Sequence, residues 1–122
     1  MPGMQQTAAF FKALGDETRL KMLWLLFHHQ ELCVCDFMEV LDVTQSKASR
    51  HLRNLFHAGL VTDRREGTWS YYSLTPSDDE LVRTHMETLE GSLASRTELA
   101  GLLEELQVWL TNKERREQAR CA

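Results

Sequence analysis

The change in hydrophobic periodicity at Gly59 constrains the fold of this chain more than any other feature of its sequence. Before it, apolar residues recur at the i, i+3, i+4, i+7 spacing of an amphipathic helix, most clearly at Leu20, Leu23, Trp24 and Phe27. After it, residues 60–66 and 68–74 alternate apolar or aromatic with polar side chains on either side of Gly67. Such alternation around a glycine predicts a β-hairpin, because glycine readily adopts the positive φ of a tight turn. The sequence therefore predicts helices followed by a hairpin.

Capping residues divide the part before the hairpin into four helices. Asp16 and Thr44 are predicted N-caps, and Gly15 and Gly59 are predicted C-terminal stops. The predicted helices cover residues 5–14, 17–29, 31–41 and 45–58. Because only a short connection joins the third helix to the fourth, the pair has a helix-turn-helix pattern. With the hairpin, this predicts a mainly α chain with a small β element (α+β), a winged helix-turn-helix.

A long helical tail over about residues 77–117 is predicted after the hairpin. Its apolar stripe consists of Val82, Met86, Leu89, Leu93, Ala100, Leu103 and Leu110, and Gly91 and Gly101 are the predicted breaks in it. The stripe could pack on the chain's own domain, but we expect the N- and C-terminal helices to join two copies as a homodimer. Residues 1–122 are thus expected to form a single winged-helix DNA-binding domain with C-terminal dimerisation helices.

Charge is distributed unevenly along the chain. The net charge is -4, yet between Thr44 and Thr75 basic residues outnumber acidic ones by three, which leaves -7 on the remainder. A local basic segment in an acidic chain indicates one surface that meets phosphate. The expected partner of this segment is therefore DNA.

The candidate DNA-binding residues lie on the fourth helix and in the wing. Gln45, Ser46 and Ser49 are expected to read base edges in the major groove. Lys47, Arg50 and Arg53 are expected to hold phosphates, while His51 could either pack or contact a phosphate. Arg64 and Arg65 are expected to contact the backbone or minor groove, and Trp69, Tyr71 and Tyr72 to pack within the strands.

Three cysteines offer the other candidate chemistry. No apolar run approaches the roughly 20 residues of a membrane span, and no secretory signal begins the chain, so we expect a cytoplasmic protein without a membrane partner. An odd cysteine number in a reducing compartment argues against structural disulfides. Metal binding, redox chemistry and plain burial remain open for Cys33, Cys35 and Cys121. An enzyme is not expected, because no partner base or phosphate-cradling loop accompanies the thiols.

Three motifs together resemble the ArsR family of bacterial metal-sensing repressors. They are Leu14-Gly-Asp-Glu-Thr-Arg-Leu20, Glu31-Leu-Cys-Val-Cys-Asp-Phe37 and Thr44-Gln-Ser-Lys-Ala-Ser-Arg-His-Leu52, and the resemblance extends to Leu74. It implies a dimeric winged-helix repressor that binds operator DNA and leaves it when a metal or metalloid binds. The Cys-Val-Cys sequence resembles the branch that responds to arsenite and antimonite. The resemblance therefore implies As(III) or Sb(III) as inducer, held by Cys33 and Cys35.

This chain lacks one cysteine that the resemblance would lead us to expect as third ligand. The best-known arsenic sensors of this family carry a third cysteine three positions after the second, where this chain has Met38, and a thioether is a weaker ligand than a thiolate. Cys121 is the remaining candidate. Alternative inputs to the same repressor are zinc or cadmium, with Cys33, Cys35, His28 and His29 as a possible zinc set, and oxidation of Cys33 or Cys35 with Cys121.

The spacing of the two nearby cysteines predicts how binding would reach the DNA. On one ideal helix, residues i and i+2 lie about 200° apart around the axis, so Cys33 and Cys35 would point to opposite sides. We therefore expect an ion bound by both to unwind the third helix locally. That distortion would displace the fourth helix, which is the expected recognition helix.

Overall fold

The computed structural model describes the backbone of residues 3–121 and the side chains of residues 3–116. Over this range the chain forms six helices and three strands. They are α1 Met4–Leu14, α2 Glu17–His28, β1 Leu32–Cys33, α3 Val34–Leu41, α4 Gln45–His57, β2 Val61–Glu66, β3 Trp69–Leu74, α5 Glu80–Leu93 and α6 Thr97–Cys121. Helices α3 and α4 form the predicted helix-turn-helix, and β2 and β3 form the predicted wing. No helix in this range has both the length and the apolarity needed to cross a bilayer.

The predicted caps and turns are confirmed at four positions. Asp16 Oδ1 accepts the backbone N–H of Arg19 at 3.0 Å, and Thr44 Oγ1 accepts that of Lys47 at 3.2 Å. Gly59 and Gly67 have φ values of +80° and +61°. Glycine adopts this left-handed region without steric cost, so the end of α4 and the wing turn lie where local sequence places them.

Helix α2 is the centre of the hydrophobic core. Its residues 22–26 are all buried, so burial extends beyond the apolar face predicted from Leu20, Leu23, Trp24 and Phe27. A helix with buried residues on every side is surrounded by other elements, here including α1, α4, α6 and β3. The indole Nε1 of Trp24 donates to the carbonyl of Leu99 at 3.1 Å and so fixes the start of α6 against α2.

The third helix begins three residues later than predicted, and a short strand precedes it. Leu32 and Cys33 form β1, which pairs antiparallel with Tyr72 and Tyr71, giving a sheet of order β1-β3-β2. Cys33 has extended backbone angles and is the N-cap of α3. The carboxylate of Asp36 accepts the Cys33 backbone N–H at 2.8 Å, which is the reciprocal half of a capping box. This cap excludes Cys33 from the helix.

The C-terminal tail breaks at a different place from the one predicted. Helix α5 ends at Leu93 and α6 begins at Thr97, while Gly91 and Gly101 lie inside the helices. A glycine inside a helix costs only about 1 kcal/mol, which the packing of the surrounding residues can offset. Leu93 is buried, whereas Val82, Met86 and Leu89 of the predicted stripe are only half-buried. The dimerisation role of residues 77–117 stays a prediction.

Arg19 joins three helices. Its Nε and Nη2 donate to the carbonyls of Ala13 and Lys12 at the end of α1, at 2.8 and 3.2 Å. Its Nη1 lies 3.1 Å from His51 Nδ1 on α4. The guanidinium therefore supplies donors to two of the last carbonyls of α1 and connects α4 to α1 and α2.

Candidate thiol site and nucleic-acid interface

The sulfur atoms of Cys33 and Cys35 lie 3.0 Å apart. The prediction that the two side chains point to opposite sides is wrong, because Cys33 lies in the strand before α3 and only Cys35 lies in the helix. Cys33 is buried and Cys35 is half-buried. Both sulfurs can therefore contact one ion without unwinding of α3.

Asp36 is the buried polar centre beside the two thiols. It is 2% exposed, and its Oδ1 accepts from Trp109 Nε1 at 2.8 Å and from Lys113 Nζ at 3.1 Å. Its Oδ2 accepts the Cys33 backbone N–H. Lys113 Nζ also lies 3.7 Å from Cys35 Sγ. Helix α6 is thus attached directly to the thiol site, which the local sequence did not predict.

The charges around this centre favour a neutral Cys35 thiol beside the ion pair of Asp36 and Lys113. Burial opposes the charge of Lys113, but Asp36 outweighs it and holds the pKa of the lysine above its ordinary value. Burial, the hydrogen bond to Cys33 and the charge of Asp36 together raise the pKa of Cys35 to about 12, against the opposing effect of Lys113. In the free protein Cys35 is therefore a thiol at neutral pH.

A four-ligand zinc set is not assembled in the described part of the chain. No group of three or more His, Cys, Asp or Glu side chains there is placed to hold a metal ion. The ring of His28 instead packs on Trp24, with centroids 4.4 Å apart. The side chain of Cys121 lies outside the described residues, so its role as a third ligand stays a prediction.

The thiols open into a groove of about 610 Å³ between α3, α4 and the wing. Its walls include Cys33, Cys35 and Met38 from the thiol side. The facing residues are Gln45, Ser49, Arg53, Arg65 and Trp69. Four of these facing residues are candidate DNA-binding residues, so the thiol pair and the predicted DNA surface share one groove.

The candidate DNA-binding residues differ in how exposed their side chains are. Gln45, Ser46, Lys47, Arg50, Arg53 and Arg65 are exposed, and Ser49 is half-buried. The side chain of His51 is 11% exposed, and burial together with Arg19 holds its pKa below the ordinary value despite Asp16. This favours a packing role for His51, the first of the two roles that its sequence position left open.

Arg64 is held by other residues of the chain. Its guanidinium is 2.7 Å from Glu31 and 2.9 Å from Glu66, and it lies over the ring of Tyr71 at 4.7 Å. An arginine in this position must exchange carboxylates for phosphate if it is to contact DNA. Because Glu31 precedes β1, the pair also connects the start of the thiol segment to the wing.

The aromatic residues of the wing are not all packed within the strands as predicted. Tyr72 is buried, but Trp69 is 52% exposed and stands beside the turn at Gly67. A large exposed indole at a wing tip is a candidate contact for a macromolecular partner. Trp69 lies next to the turn residues in the sequence, where the alternation of apolar and polar residues no longer implies burial. This position was the available sequence signal for its exposure.

The chain is similar to known bacterial regulators. The family profile described as "Bacterial regulatory protein, arsR family" matches residues 16–63. The arsenical resistance operon repressor of Bacillus subtilis is 48% identical over 71 residues, which are 58% of this chain and 66% of that protein. The repressor of the same name from Escherichia coli is 52% identical over 66 residues, 54% of this chain and 56% of that protein. The matches thus span less than two thirds of these two relatives.

A solved structure extends the similarity over most of the fold. It is the homodimeric winged helix-turn-helix DNA-binding domain of a possible ArsR-family transcriptional regulator from Mycobacterium bovis. It superposes with a TM-score of 0.61 at 30% sequence identity, over 77% of this chain and 87% of that domain.

Proposed function

Because this chain belongs to the ArsR family of bacterial regulatory proteins, we propose that it is a transcriptional repressor released from operator DNA by As(III) or Sb(III). Members of this family are regulators rather than enzymes. The proposal rests on one observation above all, the 3.0 Å approach of the Cys33 and Cys35 sulfurs in the groove that α4 and the wing also line. The arsenical repressors that resemble this chain support As(III) as the input.

The donor set fits a soft trivalent ion. Thiol sulfur is the softest ligand that proteins offer, and arsenic and antimony in the trivalent state prefer sulfur to oxygen or nitrogen. Cys33 and Cys35 would hold the ion, which supplies a covalent bridge between them. The surrounding residues exclude water from Cys33 and fix its backbone through Asp36.

The two cysteines belong to different parts of the DNA-binding unit, and this gives the proposed route of release. Cys33 is paired with Tyr71 of the wing, whereas Cys35 stands in the first turn of α3, the helix that supports α4. A bridge between them would tie the wing to the helix-turn-helix. If DNA binding requires a different position of the wing relative to the helix-turn-helix, the ion would bind the DNA-free arrangement more tightly. It would then shift the population towards that arrangement.

The DNA contacts are proposed for the exposed face of α4 and the wing. Gln45, Ser46 and Ser49 would read base edges, and Lys47, Arg50, Arg53 and Arg65 would hold phosphates. Arg64 would join them only after leaving Glu31 and Glu66.

Loss of one phosphate contact is expected to weaken DNA binding without changing its sequence preference. A duplex selected by the protein from a random pool serves as the probe, and fluorescence anisotropy measures its affinity. Lys47→Ala and Arg50→Ala should each lower the slope of log affinity against log salt by about 0.9. Lys12→Ala, an exposed lysine of α1, is the matched control and should bind as the wild type does. Arsenite should dissociate the wild-type complex. An unchanged salt slope for both α4 variants would refute this assignment.

We further propose that the repressor is a homodimer joined through α1 and α5. The M. bovis domain is homodimeric, and here Val82, Met86 and Leu89 of α5 are only half-buried while Phe11 of α1 is 44% exposed. An apolar stripe left open in this way is typical of an interface.

Light scattering should accordingly give twice the 14.1 kDa mass of the chain at micromolar concentration. Met86→Glu with Leu89→Glu should shift the protein towards the monomer, because a carboxylate is costly to bury at an apolar interface. Arg83→Glu, an exposed change on the same helix, should leave the mass unchanged. A monomeric wild type would disprove the dimer.

A further inference from the structure

We propose that Lys113 is the third recognition group of the thiol site. Its ammonium would hydrogen-bond the oxygen that remains on As(III) or Sb(III) after Cys33 and Cys35 have bound, and would thereby select oxygen-bearing trivalent ions over divalent cations. The inference rests on the proposed function and deepens it. It starts from the position of Lys113 Nζ, 3.7 Å from Cys35 Sγ.

Lys113 is held at the sulfur by a defined set of contacts. Trp109 and Lys113 are one helical turn apart on α6, and both donate to Oδ1 of the buried Asp36, at 2.8 and 3.1 Å. The lysine side chain is 23% exposed, so it is partly withdrawn from solvent. An ammonium has three N–H donors, and Asp36 occupies one of them. A second donor is directed at Cys35 Sγ, so one donor remains available beside the thiols.

The chemistry of arsenite supplies an acceptor for them. When arsenous acid, As(OH)₃, meets two thiols, two As–S bonds form, two As–O bonds break, and two waters leave with the thiol protons. The oxidation state does not change, and one hydroxyl stays on the ion. In the described part of the chain no third His, Cys, Asp or Glu is placed to displace it. Asp36 is itself occupied by the backbone N–H of Cys33, Trp109 and Lys113.

The same residues fit divalent metals poorly. Zinc and cadmium bound by thiolates generally take four ligands, and each additional ligand must offer a lone pair. The ammonium group of Lys113 offers donors only. Two sulfurs and an ammonium therefore match a three-coordinate ion that carries its own oxygen.

The test compares two arsenicals that differ in whether they keep an oxygen. Arsenite retains one hydroxyl after it binds two thiols, whereas phenylarsine oxide loses its oxygen as water and carries a phenyl group instead. In a Cys121→Ser background, Lys113→Met should weaken arsenite binding about tenfold, as expected for one lost charge-assisted hydrogen bond. Phenylarsine oxide should bind unchanged. Tryptophan fluorescence measures both affinities, and Lys12→Met is the matched control.

The test distinguishes a Lys113 that hydrogen-bonds the oxygen on the ion from a Lys113 with a purely structural role. An equal loss for both arsenicals would assign Lys113 a purely structural role and overturn the inference. X-ray absorption at the arsenic edge should count two sulfur neighbours and one oxygen, and three sulfurs would overturn the inference as well. Those results leave the proposed function standing. Failure of the wild type to bind either arsenical would instead overturn the proposed function together with the inference.

Discussion

Cys33→Ser and Cys35→Ser proteins are expected to bind arsenite at least about 100-fold more weakly than the wild type. Loss of a group that only supports a ligand typically costs 10- to 100-fold in affinity, so loss of a ligand itself should cost no less. The effect is large because a hydroxyl cannot replace thiolate sulfur on a soft ion. Tryptophan fluorescence during an arsenite titration measures it. Wild-type affinity in either single variant would exclude that cysteine from the site.

These substitutions should leave the fold and DNA binding intact. Cys33 is the N-cap of α3, and serine is among the residues most favoured at that position. Cys35 is half-buried in the first helical turn, where serine is tolerated. Cys121→Ser is the matched control for loss of a thiol. If only two sulfurs bind the ion, Cys121→Ser should retain wild-type arsenite affinity. A loss as large as that of Cys33→Ser would identify the Cys121 sulfur as the third ligand.

Asp36→Ala is expected to lower the free energy of unfolding by about 3 kcal/mol. Breaking a buried ion pair from one side typically costs 3–5 kcal/mol, because the partner charge stays buried without compensation. Here the partner is Lys113, and the backbone N–H of Cys33 and the indole of Trp109 lose their acceptor as well. The partial exposure of Lys113 places the expected loss at the lower end of that range.

Urea denaturation provides the measurement. Glu39→Ala is the matched control, because Glu39 lies on the same helix but is exposed, and it should change stability by less than about 0.5 kcal/mol. Equal stability of the Asp36 and Glu39 variants would show that Asp36 does not anchor α6. A selective loss for Asp36→Ala is the result expected if Asp36 joins the thiol site to α6.

Local signals in the sequence are sufficient for the starts of α2 and α4, the end of α4 and the turn of the wing. Asp16 and Thr44 cap with their own side chains, and Gly59 and Gly67 take the positive φ that their positions predict. Each of these features depends on residues within one turn of the chain. For the same reason the helix-turn-helix and the hairpin can be placed from the amino-acid sequence alone.

The thiol site depends on contacts that local sequence does not encode. Pairing with β3 draws Leu32 and Cys33 out of the helix. Strand β3 follows the recognition helix α4 in the sequence, so it is distant from Cys33 along the chain. The hydrogen bond between Lys113 and Asp36 joins residues 77 positions apart. Helical periodicity alone therefore places the two sulfurs on opposite sides, and it cannot indicate α6 as a neighbour.

The position of Cys33 in a strand changes the proposed coupling. A bound ion does not have to unwind α3, because the sulfurs of Cys33 and Cys35 already lie 3.0 Å apart. What a bound ion would change is the connection between β1, which carries Cys33 and pairs with the wing, and the helix that carries Cys35. Gln45, Ser49 and Arg53 line the same groove as the two cysteines. A change in this connection would therefore reach candidate DNA-binding residues.

Control of DNA binding by the thiol pair is tested by an arsenite titration of the protein–DNA complex, followed by fluorescence anisotropy. The wild type should release the duplex completely as arsenite fills the site, while the Cys33→Ser/Cys35→Ser double variant should stay bound at every arsenite concentration. A wild-type complex that persists at saturating arsenite, or a double variant that dissociates with it, would contradict the claim that the thiol pair controls DNA binding.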